Sequence, residues 1–506
     1  MEKKERAFFS HQHDHANRLP ITRSSAVFYF KCSDNFTTTL HFLNYWEIKR
    51  GISDIKVMAT IRSIDGDRIF SNEIKMPQKG AVEIPLKELF NINGVNSDNI
   101  EGSIEVEIFS KENLFVAYPA MVVRYNGKDW HTTTHSSQRY YSTASADHNI
   151  DQTQFAEEGN QTIQKDSNLE PFFIIHNGPS EFVDETAYVE VNSFNGRKIK
   201  KNIPQIAWKP YETKIFTLKD LFDYRGFLQG ELGTYKVAFL CKGVFSRIIA
   251  GFENLLNGAW SVDHTNFSFS GKYNDDLFDV EFKNGFKNLV FNIPNFSSKD
   301  WDCYADIYPT YPEGKFFIAL KKSKNTCTSI EKISLPPILE SKSTRISLKE
   351  SVNSELSFTN DAKLPRRFHV GVHYSYRDSD PAFLIDGPYP HASPPINTRW
   401  APLFSGHDNE NYLLIANRTL GKEVPQKISF SSVIYNSFAD DPLQFDFSVE
   451  AKSSLVLNLN EEVKDLKNYL NNKSGWIYIK SASPSKCVFH YIAVYKDMSV
   501  TCDHAF

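Results

Sequence analysis

Leu86-Lys87-Glu88-Leu89-Phe90 returns 132 residues later as Leu218-Lys219-Asp220-Leu221-Phe222. Weaker copies follow at Leu348-Lys349-Glu350-Ser351-Val352 and Leu459-Asn460-Glu461-Glu462-Val463, a further 130 and 111 residues on. A period of that size belongs to a repeated domain rather than to the short units of a solenoid. The surroundings repeat as well. Upstream of each marker runs an apolar segment ending near an Asn: Leu40 to Asn44, Phe172 to Asn177, Leu289 to Asn292 and Leu413 to Asn417.

Alternating segments follow in the first two copies, Val57-Met58-Ala59-Thr60-Ile61-Arg62 and Ala187-Tyr188-Val189-Glu190-Val191. A period of two buries one face of a strand and wets the other. Asp65-Gly66-Asp67 and Asn195-Gly196-Arg197 then read as hairpin turns. Glu313-Gly314-Lys315 takes that place in the third copy, and Ala439-Asp440-Asp441-Pro442 in the fourth. With the strands after each marker, every copy holds six or seven short strands. The expected fold is therefore all-β: a tandem array of about four related antiparallel β-sandwich domains, Ig-like or jelly-roll-like. The marker is expected to make one helical turn where the chain crosses between sheets.

The spacing places sandwiches at 24–136, 170–267, 286–408 and 411–506. Residues 1–23 read as a mobile N-terminal segment and 137–169 as a polar linker or long loop. Within the third copy, 378–403 reads as an insertion rich in Pro and aromatics.

Each copy closes on a histidine. The first ends Trp130-His131-Thr132-Thr133-Thr134-His135 and the second Trp260-Ser261-Val262-Asp263-His264-Thr265-Asn266. The third runs from Trp400 to His407-Asp408, and the fourth ends Asp503-His504-Ala505-Phe506. Three roles suit such a pattern. An imidazole beside Asp or Thr at a strand end bridges backbone segments as a structural corner. A Trp face with His, Asp and Asn also suits a sugar or another polar ligand. Acid–base or metal chemistry is the third. Arg377, Tyr389, His391, Arg399 and Trp400 gather in and beside the Pro-stiffened insertion, which reads as a recognition surface or an interface. The candidate ligand-binding residues are thus Trp130, His135, Trp260, Asp263, His264, Asn266, Arg377, Tyr389, His391, Arg399, Trp400, His407, Asp503 and His504. No residue is assigned a catalytic or metal-binding role, and no cofactor is expected.

Composition removes several classes. Lys+Arg number 57 and Asp+Glu 61 in 506 residues, a formal charge of −4, which is no footprint for nucleic acid or an anionic membrane. The 40 Phe and 23 Tyr favour pleated, half-buried surfaces. No run reaches the ~18 apolar residues of a membrane span, and the charged N-terminus lacks the apolar core of a signal peptide. A cytoplasmic protein is expected, with other routes to a surface left open. The six cysteines show no C-x-x-C pair and read as buried hydrophobes, with Cys303 and Cys327 the one pairing weighed. His11-Gln12-His13-Asp14-His15 has metal-like spacing but nothing beside it to complete a site. P-loop, dinucleotide, zincin and nucleophile-elbow motifs are absent.

The expected function is non-enzymatic binding or assembly, with a glycan or a partner protein as ligand. The alternative is a carbohydrate-active enzyme with its site between copies two and three, using Asp263, His264, His373, Arg377 and His407.

Overall fold

The computed structural model describes residues 20–115, 119–135, 138–140, 153–267, 288–294, 300–308, 316–323, 330–334, 344–347, 353–360, 369–386, 396–404, 409–417, 426–438, 441–451, 453–485, 487–496 and 499–506. The first eight strands are Arg23–Cys32, Thr37–Leu43, Lys56–Ser63, Arg68–Ile74, Ala81–Pro85, Ile100–Phe109, Met121–Asn126 and His131–Thr134. They form two four-stranded antiparallel sheets, ordered one-six-three-four and five-two-seven-eight.

Among the described residues the same two orders occur four times. The second set opens with Thr153–Ile163 and its eighth strand is Trp260–His264. The third runs from Asn288–Pro294 to Ala382–Asp386, and the fourth from Ile396–Leu403 to Ser499–His504. Among the described residues, the second set adds short extra strands, and Arg139–Tyr140, between the first two sets, pairs with one of them. The all-β, sandwich-like fold is as expected. The first two sets fall in one compact unit and the last two in another.

The second set shows how a sandwich core is built. Val189, Val191, Val237 and Phe239 from one sheet share an apolar cluster with Phe173, Ile175 and Ala250 from the other. The marker lies between the fifth and sixth strands, which belong to different sheets. It forms the helical turns Leu86–Ile92, Leu218–Leu221 and Leu459–Glu462, each starting on a Leu with no exposed surface. Its third copy lies outside the described residues.

The Asn after the second strand also recurs as a structural device. Asn44 Nδ2 donates to the carbonyls of Pro77 and Gln78, at 3.0 and 3.2 Å. Asn177 Nδ2 reaches Ser180 and Lys209, at 2.8 and 2.7 Å. Asn417 Nδ2 reaches Gln426 and Val449, at 2.8 and 3.1 Å. One side-chain amide thus satisfies two carbonyls at the end of the sandwich, adjacent ones for Asn44 and ones from two stretches of chain for Asn177 and Asn417.

Several sequence expectations need correction. The 137–169 segment holds an 11-residue strand, Thr153–Ile163, which is the first strand of the second set. Its polarity hides it, because Glu158 and Gln161 occupy buried positions where apolar residues are expected. Asn292 lies in the first strand of its set, not after the second. The 378–403 segment is not a single insertion loop. Ala382–Asp386 closes the third set, and Ile396–Leu403 opens the fourth by pairing with Gly475–Ser485. Trp400 is therefore not the counterpart of Trp130 and Trp260. Cys327, residues 313–315 and the N-terminal histidines lie outside the described residues.

Candidate functional site

The corners at Asp263-His264 and Asp503-His504 have the same construction. Each Asp Oδ1 accepts the backbone N–H of the following His, at 2.7 Å in both. Each His Nδ1 faces the carbonyl of the next residue, Thr265 at 2.8 Å and Ala505 at 3.3 Å. Beyond the corner the chain leaves its own sheet and pairs with the first strand of the facing sheet. Asn266 and Phe267 lie opposite Gly159 and Glu158. Phe506 and Trp400 exchange backbone hydrogen bonds of 3.0 and 3.1 Å. In the first set, Val27 N–H donates to Gln138 O at 2.7 Å. A turn that changes sheets leaves backbone groups without ladder partners, and the Asp and His side chains supply them.

Around His264 the network is dense. With Nδ1 donating to Thr265, Nε2 is left as an acceptor facing Arg247 Nη2 at 3.2 Å. The His264 carbonyl accepts from Gln161 Nε2 at 3.1 Å. His135 meets the His264 ring edge-on at 4.6 Å. Nearby Glu158 has no exposed surface and accepts from the hydroxyls of Ser246 and Thr265 and from Ile248 N–H at 2.9 Å. Burial raises the Glu158 carboxyl above its ordinary range, against the pull of those three hydrogen bonds.

Within the same unit the first two sets meet along their eighth strands. His131–Thr134 packs against Trp260–His264, and Val262 N–H donates to Thr132 Oγ1 at 3.2 Å. Both are edge strands, so each covers the unpaired edge of the other. Trp260 stacks on Tyr29 at 5.8 Å and meets Phe36, Tyr125 and Phe172 at 4.9, 5.8 and 4.5 Å. Trp130 is buried with its ring edge-on to Phe36 at 5.4 Å. The faces expected to greet a ligand are therefore packed against other aromatic rings. Gln138 spans the two sets by clamping both backbone groups of His176, at 2.6 and 2.9 Å.

In the unit of the last two sets, Arg345 grips the fully buried Asp306 with two hydrogen bonds of 2.7 Å. His373 Nε2 lies 3.1 Å from Asp306 Oδ2, and its ring stacks on Tyr304 at 4.4 Å. Burial works to raise Asp306, but Arg345 and His373 outweigh it and hold the carboxyl down to about 2. Burial lowers His373, against the pull of Asp306. This constellation holds a charge inside a sheet.

Of the other sequence candidates, Arg377 is half-exposed, stacks over Tyr376 at 4.8 Å and lies 3.7 Å from Asp300. Arg399 Nη1 donates to the Thr398 carbonyl at 2.9 Å. Trp400 is half-buried and stacks on Tyr478 at 6.5 Å. Asn266 is placed by its strand pairing alone, and Tyr389, His391 and His407 lie outside the described residues. Among the described residues, His264 and His373 each have partners within their own unit.

No protein-family model and no curated protein sequence matches the chain. Among solved structures it is similar to trypsin-activated alpha-2-macroglobulin from Escherichia coli, at 7% identity and a TM-score of 0.10. That match covers 93% of this chain and spans 30% of the other. A likeness so slight carries no argument about fold or function.

Glu158, Arg247, Asp306 and Arg345 escaped the sequence reading. For Glu158 no clear signal was present, because the strand is polar and Gly159, Gln161, Thr162 and Ile163 after it are all buried, with a register shift between Gly159 and Gln161. For Asp306 and Arg345 none was present either, because their pairing depends on strands that lie far apart in sequence.

Proposed function

We propose that the chain is a non-catalytic binding or assembly protein, built as four β-sandwich modules in tandem, whose ligand is a glycan or a partner protein. The supporting observation is what happens to the chemistry-bearing side chains at the module ends. Asp263, His264, Asp503 and His504 take part in holding the corners where the chain changes sheets. Trp130 and Trp260 are engaged in the packing of one module on the next. A catalytic acid or base must reach substrate, and each of these side chains already has one atom engaged by its own backbone, which supports a structural role. Repetition itself favours binding, since tandem copies raise avidity without new contacts. Among the described residues no helix is long and apolar enough to cross a membrane.

The test pairs two assays on the full chain. A glycan array and a screen for reducing-end release are run over the same polysaccharides. The expected result is saturable binding without product. Turnover that is lost in Asp263→Asn but retained in a folded control would overturn the non-catalytic reading.

A further inference from the structure

The sheet that opens the fourth strand set has an unusual outer face. Its strands are Ile396–Leu403, Gly475–Ser485, Ile428–Tyr435 and Leu443–Val449, in that order. Ala401, Ile434, Ile477 and Ile479 point into the core and are buried. Side chains alternate, so their neighbours form the opposite face. One row there runs Trp400, Tyr478, Val433, Gln444. The next row runs Thr398, Lys480, Ser431, Asp446. Same-face neighbours along a strand stand ~6.6–6.8 Å apart, so the aromatic row and the polar row adjoin.

Trp400, Tyr478 and Tyr435 are partly exposed; the first two rings lie nearly parallel, with 28° between their planes, and Trp400 also stacks on Phe506 at 6.4 Å. The polar row opens into a cavity of about 610 Å³. Short side chains create the hollow: Ser429, Ser431, Ser448 and Ala482 line it, together with Asp446 and Lys480. That volume is in the ordinary range for small-ligand sites.

We propose that this face binds a neutral oligosaccharide, with a sugar ring laid on Trp400 and Tyr478 and the adjoining residue's hydroxyls in the serine-lined cavity. The proposal rests on the recognition reading above and gives it a place and a ligand class. A sugar ring offers an apolar C–H face and a rim of hydroxyls that both donate and accept. The rings suit the face. The serine hydroxyls donate and accept, Asp446 accepts and Lys480 donates, which matches the rim. One negative and one positive group give no preference for a charged polymer. An apolar peptide laid on the same face would bury that polar row without satisfying it.

The experiment uses the full chain. An array of neutral and charged oligosaccharides is followed by calorimetric titration with the tightest neutral binder. Tyr478→Ala removes half of the platform. Ser431→Gln fills the hollow at an exposed position without changing charge, and so tests the site even if the first variant folds poorly. Ile92→Ala, at a residue 76% exposed in the first set, serves as the control. Tyr478→Ala is expected to weaken binding about tenfold or more, and Ser431→Gln about fivefold. The control should bind like the unaltered chain. Absence of any glycan ligand overturns the proposal and leaves the assembly branch of the functional reading standing, whereas binding of charged glycans alone overturns the proposal while glycan recognition itself survives. Neutral-glycan binding that is unchanged in both variants overturns this site while glycan recognition itself survives.

Discussion

Replacing Arg345 with Met should loosen the strands around Asp306. Asp306 has no exposed surface, and its charge is held by a two-pronged guanidinium grip at 2.7 Å with His373 3.1 Å away. Removing one partner of a buried pair strands the other charge, which typically costs ~3–5 kcal/mol. Arg345 is 24% exposed, so water can partly replace it, and the lower end applies: about 3 kcal/mol. Hydrogen exchange of peptides spanning 301–308 and 369–376 reads this directly, and protection there should fall about a hundredfold. The double variant Asp306→Asn/Arg345→Met removes the stranded charge and should recover most of the loss. Acid titration offers a second check. Between pH 3.8 and about 2 the folded chain holds fewer protons on Asp306 than the unfolded chain does. The contribution is therefore complete above pH 4 and lost as pH falls through about 2. That gap corresponds to roughly 2 kcal/mol. Asp306→Asn should flatten this part of the acid dependence of urea unfolding. An Arg345→Met protein within 1 kcal/mol of the unaltered chain (about fivefold in protection), or a double variant worse than both singles, would refute the reasoning.

Trp260→Ala empties the middle of an aromatic cluster and should cost about 3 kcal/mol, with faster exchange in the edge strand His131–Thr134; unchanged protection there would deny its role in joining the first two sets. Gly66 sits at φ 93°, and an added methyl would meet the Pro210 carbonyl and the Glu212 amide of the neighbouring set. Gly66→Ala should therefore lower thermal stability by roughly 1–3 kcal/mol, whereas Gly94→Ala, at φ 65° with open space around it, should cost less. Glu158 is raised by burial, so its contribution is full below about pH 4.5 and declines as pH rises above that value. Glu158→Gln should remove this slope from the unfolding of the first unit, and identical slopes in both proteins would exclude the effect.

The recurring marker segment was enough to read an all-β chain with repeated sandwiches. It is local: a short apolar-ended turn between strands writes itself in consecutive residues, as do the Asp-Gly and Asn-Gly hairpins at Gly66 and Gly196. The recurring corner histidines were equally visible, and His264 and His504 each face the carbonyl of the next residue. The strand Thr153–Ile163 was not visible as such. Its inward Glu158 and Gln161 look like solvent-facing residues until Ser246, Ile248, Thr265 and the His264 carbonyl are brought beside them. The third copy was misaligned for a related reason. Asn292 and Trp400 imitate the landmarks of other copies, and only strand pairing shows that both belong to first strands.

Periodicity, turn chemistry and internal repetition by themselves determined the fold class and the approximate length of the repeating unit, because these are interactions between near neighbours in the chain. Tertiary structure alone decided which side chains are occupied. Trp260 is packed among Tyr29, Phe36, Tyr125 and Phe172, residues from 88 to 231 positions away. Trp400 instead joins Tyr478 on the outer face of a sheet. The two tryptophans look alike in sequence, and pairing across distant strands is what sends Trp260 into the junction of the first two sets and Trp400 beside Tyr478 and Phe506.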